Sequence, residues 1–166
     1  MDLAALHLRP GEGRRVEVDV DIDAVSFGGQ TYSMDPRTVD VILDISRMSG
    51  EGYALHLRTS TTLRGPCMRC LDDASLRLDV DAREVEAPGG GDELSSPYVT
   101  DEKLDVAAWT RDAVVLALPQ QLLCRDDCAG LCPVCGESLN DAEPGAHDHE
   151  SAPDPRWAAL DKLKFD

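Results

Sequence analysis

Aromatic side chains are scarce in this 166-residue chain, at 4%, and the hydrophobic share of 42% is modest. A chain of this length folds as one domain, with or without a metal-held appendage. So thin a core leaves room for metal to add what apolar burial does not. Basic residues are few as well: 16 against 32 acidic ones, for a net charge of −16. Proteins that coat nucleic acid use Lys and Arg to displace counterions from phosphates. The balance here argues against tight RNA binding and for a basic partner, or for solubility alone. No stretch approaches the roughly 20 apolar residues of a membrane span. The residues from Met1 to Pro10 have neither the basic start nor the apolar run of a signal peptide. The expectation is a cytoplasmic protein without membrane contact. In that reducing compartment the six cysteines read as metal ligands rather than disulfides.

What is present is alternation. Between Arg14 and Val25, Val16, Val18, Val20 and Ile22 alternate with Glu17, Asp19, Asp21 and Asp23, the pattern of a half-buried strand with an acidic outer face. Thr38 to Met48 alternates again, with Val39, Val41, Leu43 and Ile45 on one side. Ser49-Gly50-Glu51-Gly52 then marks a turn into a third strand, Tyr53 to Leu63. A tight break at residues 65–70 leads to a fourth, Ala74 to Val85, which puts Cys67 and Cys70 at a hairpin tip. Gly89 to Gly91 reads as a linker, because no Lys-Ser or Lys-Thr follows to make a phosphate loop. Asp105 is a good N-cap for a helix from Val106 to Leu118, with Val106, Trp109, Ala113, Leu116 and Ala117 on one face. Pro119 ends it. Asp154-Pro155 caps a last short helix, Arg156 to Leu163. The fold class is therefore α+β: an antiparallel meander of about four strands, one packed helix and a zinc-held C-terminal segment. Residues 1–120 carry the sheet and helix, and residues 121–166 the Cys-rich segment, in one integrated domain.

Cys132-Pro133-Val134-Cys135-Gly136 is the strongest local signal. Two thiolates two residues apart grip one tetrahedral ion from a tight turn, and the glycine accepts the backbone geometry such a turn needs. Cys67 and Cys70 repeat the spacing without the glycine, and Cys124 and Cys128 follow the helix. Six cysteines with His147 and His149 make eight donors, or two tetrahedral sites. The preferred partition places Cys67, Cys70, Cys124 and Cys128 around one zinc ion, and Cys132, Cys135, His147 and His149 around a second. A rival partition joins Cys67, Cys70, Cys132 and Cys135 as in zinc ribbons, and one ion or two stays open. His7 and His56 read as ordinary surface or strand residues. Catalytic zinc keeps an open position and usually takes His or carboxylate ligands, and a redox CxxC starts a helix. Neither applies here.

The motifs CMRCL at Cys67 to Leu71, VVLALP at Val114 to Pro119, LCRDDCAGLCPVCGESLN at Leu123 to Asn140 and DPRWAAL at Asp154 to Leu160 occur in this order. With them the chain resembles the YceD-like family over its C-terminal two-thirds. The resemblance implies a bacterial or plastid-type protein needed for accumulation or processing of large-subunit ribosomal RNA, with a role in ribosome assembly and no known reaction. The family's CxRC pair falls on Cys67, Arg69 and Cys70, and its later cysteines on Cys124, Cys128, Cys132 and Cys135. Where many relatives carry a further Cys-x-Cys, this chain has His147-Asp148-His149.

Arg58, Arg64, Arg69 and Arg77 near the first pair offer a small contact patch for a partner. The acidic strand faces suit a basic ribosomal protein or assembly factor better than rRNA itself. A metal-dependent RNA-processing enzyme and a zinc-sensing or storage protein are the other function classes left standing.

Overall fold

The computed structural model describes residues 1–91 and 94–149; the helix expected over Arg156–Leu163 lies outside them. The four expected strands are present as β1 (Gly13–Asp21), β4 (Thr38–Arg47), β5 (Tyr53–Pro66) and β6 (Asp73–Glu86). Two short strands, β2 (Val25–Phe27) and β3 (Gln30–Asp35), lie between the first two. A small ribbon follows, β7 (Val99–Thr100) with β8 (Lys103–Leu104), and then one helix, α1 (Val106–Leu116). The protein is α+β, dominated by antiparallel sheet.

The long strands pair antiparallel in sequence order, β1 with β4, β4 with β5 and β5 with β6. β5 organises the sheet. One of its edges runs along β6 from Tyr53↔Glu86 to Pro66↔Asp73. Its other edge is shared, by β4 over Tyr53–Arg58 and by β3 over Thr62–Arg64. Between those two partners the Thr59 hydroxyl donates to the Asp40 carbonyl at 2.8 Å. The period-two pattern does what it must. Val39, Val41, Leu43 and Ile45 of β4 and Leu55, Leu57 and Leu63 of β5 are buried on one face. The outer face is a lattice of charge. Arg15 and Arg58 both reach Asp44 at 2.7 Å, and the Arg15 guanidinium, helped by Arg58, holds that carboxyl below the usual range.

The helix lies against β1 and β6, the two ends of the four-strand path, so the sheet curves around it. Asp105 caps it, its carboxylate accepting from the Ala108 N–H at 3.0 Å. The buried stripe is Val106, Trp109, Thr110, Ala113 and Val114, a regular i, i+3, i+4, i+7, i+8 face. Thr110 belongs to it because its hydroxyl is satisfied by the Val106 carbonyl at 2.7 Å. Leu116, expected inside, is 86% exposed. The helix also stops at Leu116 instead of Leu118, since the residue before a proline is pushed out of the helical region.

β2 and β3 turn over Gly28-Gly29, both left-handed at φ 60° and 77°, as a tight two-residue hairpin requires. The hairpin delivers Tyr32, fully buried and stacked on Phe27 at 3.9 Å between ring centroids. The Tyr32 ring lies directly on Gly65 of β5: a Cβ there would sit 2.3 Å from Tyr32 Cδ1. Gly65→Ala is therefore expected to lower stability by ~1–3 kcal/mol, the usual range for forcing atoms into a packed core. Urea unfolding would measure it, and an unchanged midpoint would mean that the ring can move aside.

Candidate metal centre

Cys67 follows directly on β5, and Cys70 sits in the turn before β6. The turn is closed by the Cys67 N–H donating to the Asp72 carbonyl at 2.7 Å and the Leu71 N–H donating to the Cys67 carbonyl at 3.0 Å. The second pair repeats it. The Cys132 N–H donates to the Glu137 carbonyl and the Gly136 N–H to the Cys132 carbonyl, both at 2.8 Å. In each turn the residue after the second cysteine is left-handed, Leu71 at φ 65° and Gly136 at φ 76°. Glycine takes that conformation freely. Leucine takes it at a cost of about 1 kcal/mol.

The post-helix segment is fastened to the first turn. The Met68 N–H donates to the Leu122 carbonyl at 2.9 Å, Arg69 Nη1 donates to the Cys128 carbonyl at 3.0 Å, and Leu122 itself is buried. Cys124 and Cys128 thereby meet Cys67 and Cys70, and the four Sγ atoms lie within 4.8 Å of one another. Cys67 and Cys128 are 3.7 Å apart, and Cys70 and Cys124 are 3.5 Å apart. Sulfurs at ~2.3 Å from a tetrahedral ion are about 3.8 Å apart, so the spacing fits a metal and is far too long for a disulfide. Cys67, Cys70 and Cys128 are buried.

Cys132, Cys135, His147 and His149 form a second group, with one ligand atom of each within 4.8 Å of the others. Cys135 Sγ is 3.3 Å from His147 Nδ1. His149 Nε2 is buried without any hydrogen-bond partner, a position that costs free energy unless something there accepts its lone pair or proton. Cys135 is exposed, so this group is the more open of the two. It rests on the first: the Leu139 N–H donates to the Gly130 carbonyl at 2.8 Å, the Asn140 side chain accepts from the Ala129 N–H at 2.8 Å, and Gly130 packs beside the Arg69 carbonyl. Both groups can hold a metal ion. The zinc-ribbon set of Cys67, Cys70, Cys132 and Cys135 is not gathered at one point among the described residues.

The two turns also prepare their thiols alike. Burial pushes Cys67 up, but the backbone N–H groups of Cys70, Arg69 and Cys124 outweigh it and hold the thiol down to about 6. Cys70 is pushed the other way, by burial first and then by Asp72 and the neighbouring thiols. In the second turn the N–H groups of Cys135 and Val134 bring Cys132 down to about 7. Each turn thus offers one sulfur ready to lose its proton, which thiolate ligation requires.

Each arginine of the expected patch has a partner within the chain. Arg58 pairs with Asp44, Arg64 with Asp35 at 2.6 Å, and Arg77 with Asp79 at 3.0 Å. Arg69 serves the Cys128 carbonyl. Sequence reasoning missed Leu122 and Asn140, whose contribution is one backbone carbonyl and one side-chain acceptor; no spacing rule marks either.

A family model described as large ribosomal RNA subunit accumulation protein YceD matches residues 55–164. Uncharacterized proteins of Mycobacterium tuberculosis and Mycobacterium bovis are each 35% identical over 167 residues, covering 96% of this chain and 78% of the relative. An uncharacterized protein of Mycobacterium leprae is 36% identical over 100 residues, 57% of this chain and 45% of its own. No solved structure matches the chain. The matched region holds the β5–β6 hairpin from Leu55 onward, the helix and every residue of both Cys and Cys/His groups, and by that match the chain belongs to the YceD family.

Proposed function

We propose that this protein is a non-enzymatic factor in large ribosomal subunit biogenesis, needed for large-subunit rRNA to accumulate or be processed, with zinc as a structural element. The observation that carries this reading is the convergence of Cys67, Cys70, Cys124 and Cys128, three of them buried and Cys124 partly so, between a hairpin tip and the segment after the helix, in a chain of a family named for rRNA accumulation. Four thiolates complete a tetrahedral shell and leave no position for a reacting water, so the ion's work there is to join two parts of the chain. Cys132, Cys135, His147 and His149 would hold a second zinc ion. The protein would act in the cytoplasm; no helix among the described residues is long and apolar enough to cross a membrane.

The partner is a ribosomal protein or assembly factor of the large subunit rather than bare rRNA. A net charge of −16 repels phosphate, and Arg58, Arg64 and Arg77 already carry acidic partners. Depletion in the native host is expected to lower large-subunit rRNA and mature large subunits relative to the small subunit. The wild-type gene should restore both, and Cys67→Ser should not. Normal large-subunit rRNA after complete depletion would sink the reading.

A further inference from the structure

Leu71 carries a cost that its own fold does not repay. It occupies the left-handed place that Gly136 fills in the twin turn, yet its side chain is 55% exposed and takes no part in the packed core. An exposed leucine alone means little. An exposed leucine held where glycine would be free of strain calls for a use outside the molecule, because strained residues persist where function needs them. Its surroundings specify that use. Leu76, three residues into β6 and at the same end of the hairpin, is 42% exposed although it has the inward register of Ala74 and Leu78. Asp72 and Asp73 are exposed and, among the described residues, have no basic partner. On the sheet Asp23, Asp35, Asp44, Asp79 and Asp81 are paired, whereas the exposed Glu17, Asp19 and Asp40 are, like Asp72 and Asp73, without a basic partner among the described residues.

We infer that the metal-held hairpin tip is a docking surface for a basic protein: Leu71 enters an apolar pocket on the partner, and Asp72 and Asp73 face a rim of lysine and arginine around it. The metal's role follows. By fixing the turn on the post-helix segment, the four cysteines hold Leu71 in one orientation before the partner arrives, which lowers the ordering cost of association. The partner class rests on the proposed role in the large subunit, whose proteins are the basic surfaces at hand; the location of the contact rests on the tip alone.

The test uses full-length, zinc-loaded protein and two probes: the protein fraction extracted from purified bacterial large subunits by high salt, and the same subunits' deproteinised rRNA. Wild type is expected to bind the immobilised protein fraction and not the rRNA. Leu71→Gly should weaken that binding by about tenfold or more, with zinc content unchanged and Tm equal or higher, because glycine suits the turn. This variant keeps the net charge, so non-specific attraction between an acidic chain and basic proteins is the same in both samples. Leu71→Asn, polar and tolerant of the left-handed region, should show the same loss. Equal binding by wild type and both variants overturns the inference, as does wild type that prefers rRNA or ignores the protein fraction. The rRNA levels after depletion judge the proposed function separately.

Discussion

Cys67→Ser is expected to release one zinc ion per chain and to lower Tm by about 10 °C or more. Serine offers a neutral hydroxyl where the ion needs thiolate, and the three remaining thiols then surround an incomplete shell. A ligand that binds only the folded state about a thousandfold more tightly than its free concentration demands contributes about 4 kcal/mol. Structural zinc meets that condition easily. The loss should be global because of where the four thiols meet: an ion there would tie the β5–β6 hairpin tip to the segment after the helix, and Cys67 is buried there with Cys70 and Cys128. Native mass spectrometry of protein purified without chelator counts the ions, and differential scanning calorimetry follows Tm. Replacing His147 and His149 together with alanine makes the contrast. One ion should again be lost, but Tm should fall little, since the second group is more open and its turn can open locally while the sheet stays folded. If Cys67→Ser keeps the same metal count and Tm as wild type, the four thiols are not a metal site.

The parts of this molecule that could be read from its sequence are those where one residue type has one physical use. Val39, Val41, Leu43 and Ile45 alternate because one face of β4 is buried, and all four are buried together. Asp105 caps α1 because its carboxylate reaches the Ala108 N–H. The sorting of the eight donors is only half legible: the two CxxC pairs have the same spacing, so the rival set stays open, and it is the Met68 to Leu122 and Arg69 to Cys128 hydrogen bonds that bring Cys124 and Cys128 to the first turn. The rest depended on tertiary context. Gly28-Gly29 does signal a hairpin, but β2 and β3 are too short for alternation to be visible. The β7–β8 turn gives no signal at all: its two left-handed residues are Asp101 and Glu102, where glycine or asparagine would be expected. What holds them is the neighbourhood, with the Leu3 N–H donating to the Glu102 carbonyl at 2.8 Å and Tyr53 Oη donating to the Glu102 carboxylate at 3.3 Å. The intrachain partners of the arginines are hidden for a related reason. Four basic residues near one turn look like a patch in one dimension, whereas cross-strand register sets an aspartate beside Arg58, and β3 brings another to Arg64.

Trp109→Ala is expected to cost ~3–5 kcal/mol, the range for removing a large buried aromatic, while leaving the zinc count at its wild-type value. Trp109 is 2% exposed and stacks on Tyr98 at 6.1 Å between ring centroids, at the centre of the helix stripe. It holds the helix in the curve of the sheet, but the junction with the cysteines has fastenings of its own: the Met68 to Leu122 hydrogen bond at 2.9 Å, the Arg69 to Cys128 hydrogen bond at 3.0 Å and the buried Leu122 side chain. If the helix were what carries the C-terminal segment to the hairpin, loss of Trp109 would empty the metal groups as well. Titration with a strong chelator sharpens the comparison. The metal and the tryptophan stabilise different contacts, so their losses should combine to about 7–9 kcal/mol, most of the 5–15 kcal/mol that holds an ordinary domain together. Circular dichroism at 25 °C should then show the chelated Trp109→Ala protein unfolded, and the chelated wild type and the zinc-loaded variant still folded. A variant that unfolds with its zinc in place would mean that the sheet and helix form the weaker part of the fold and that the metal adds little to it.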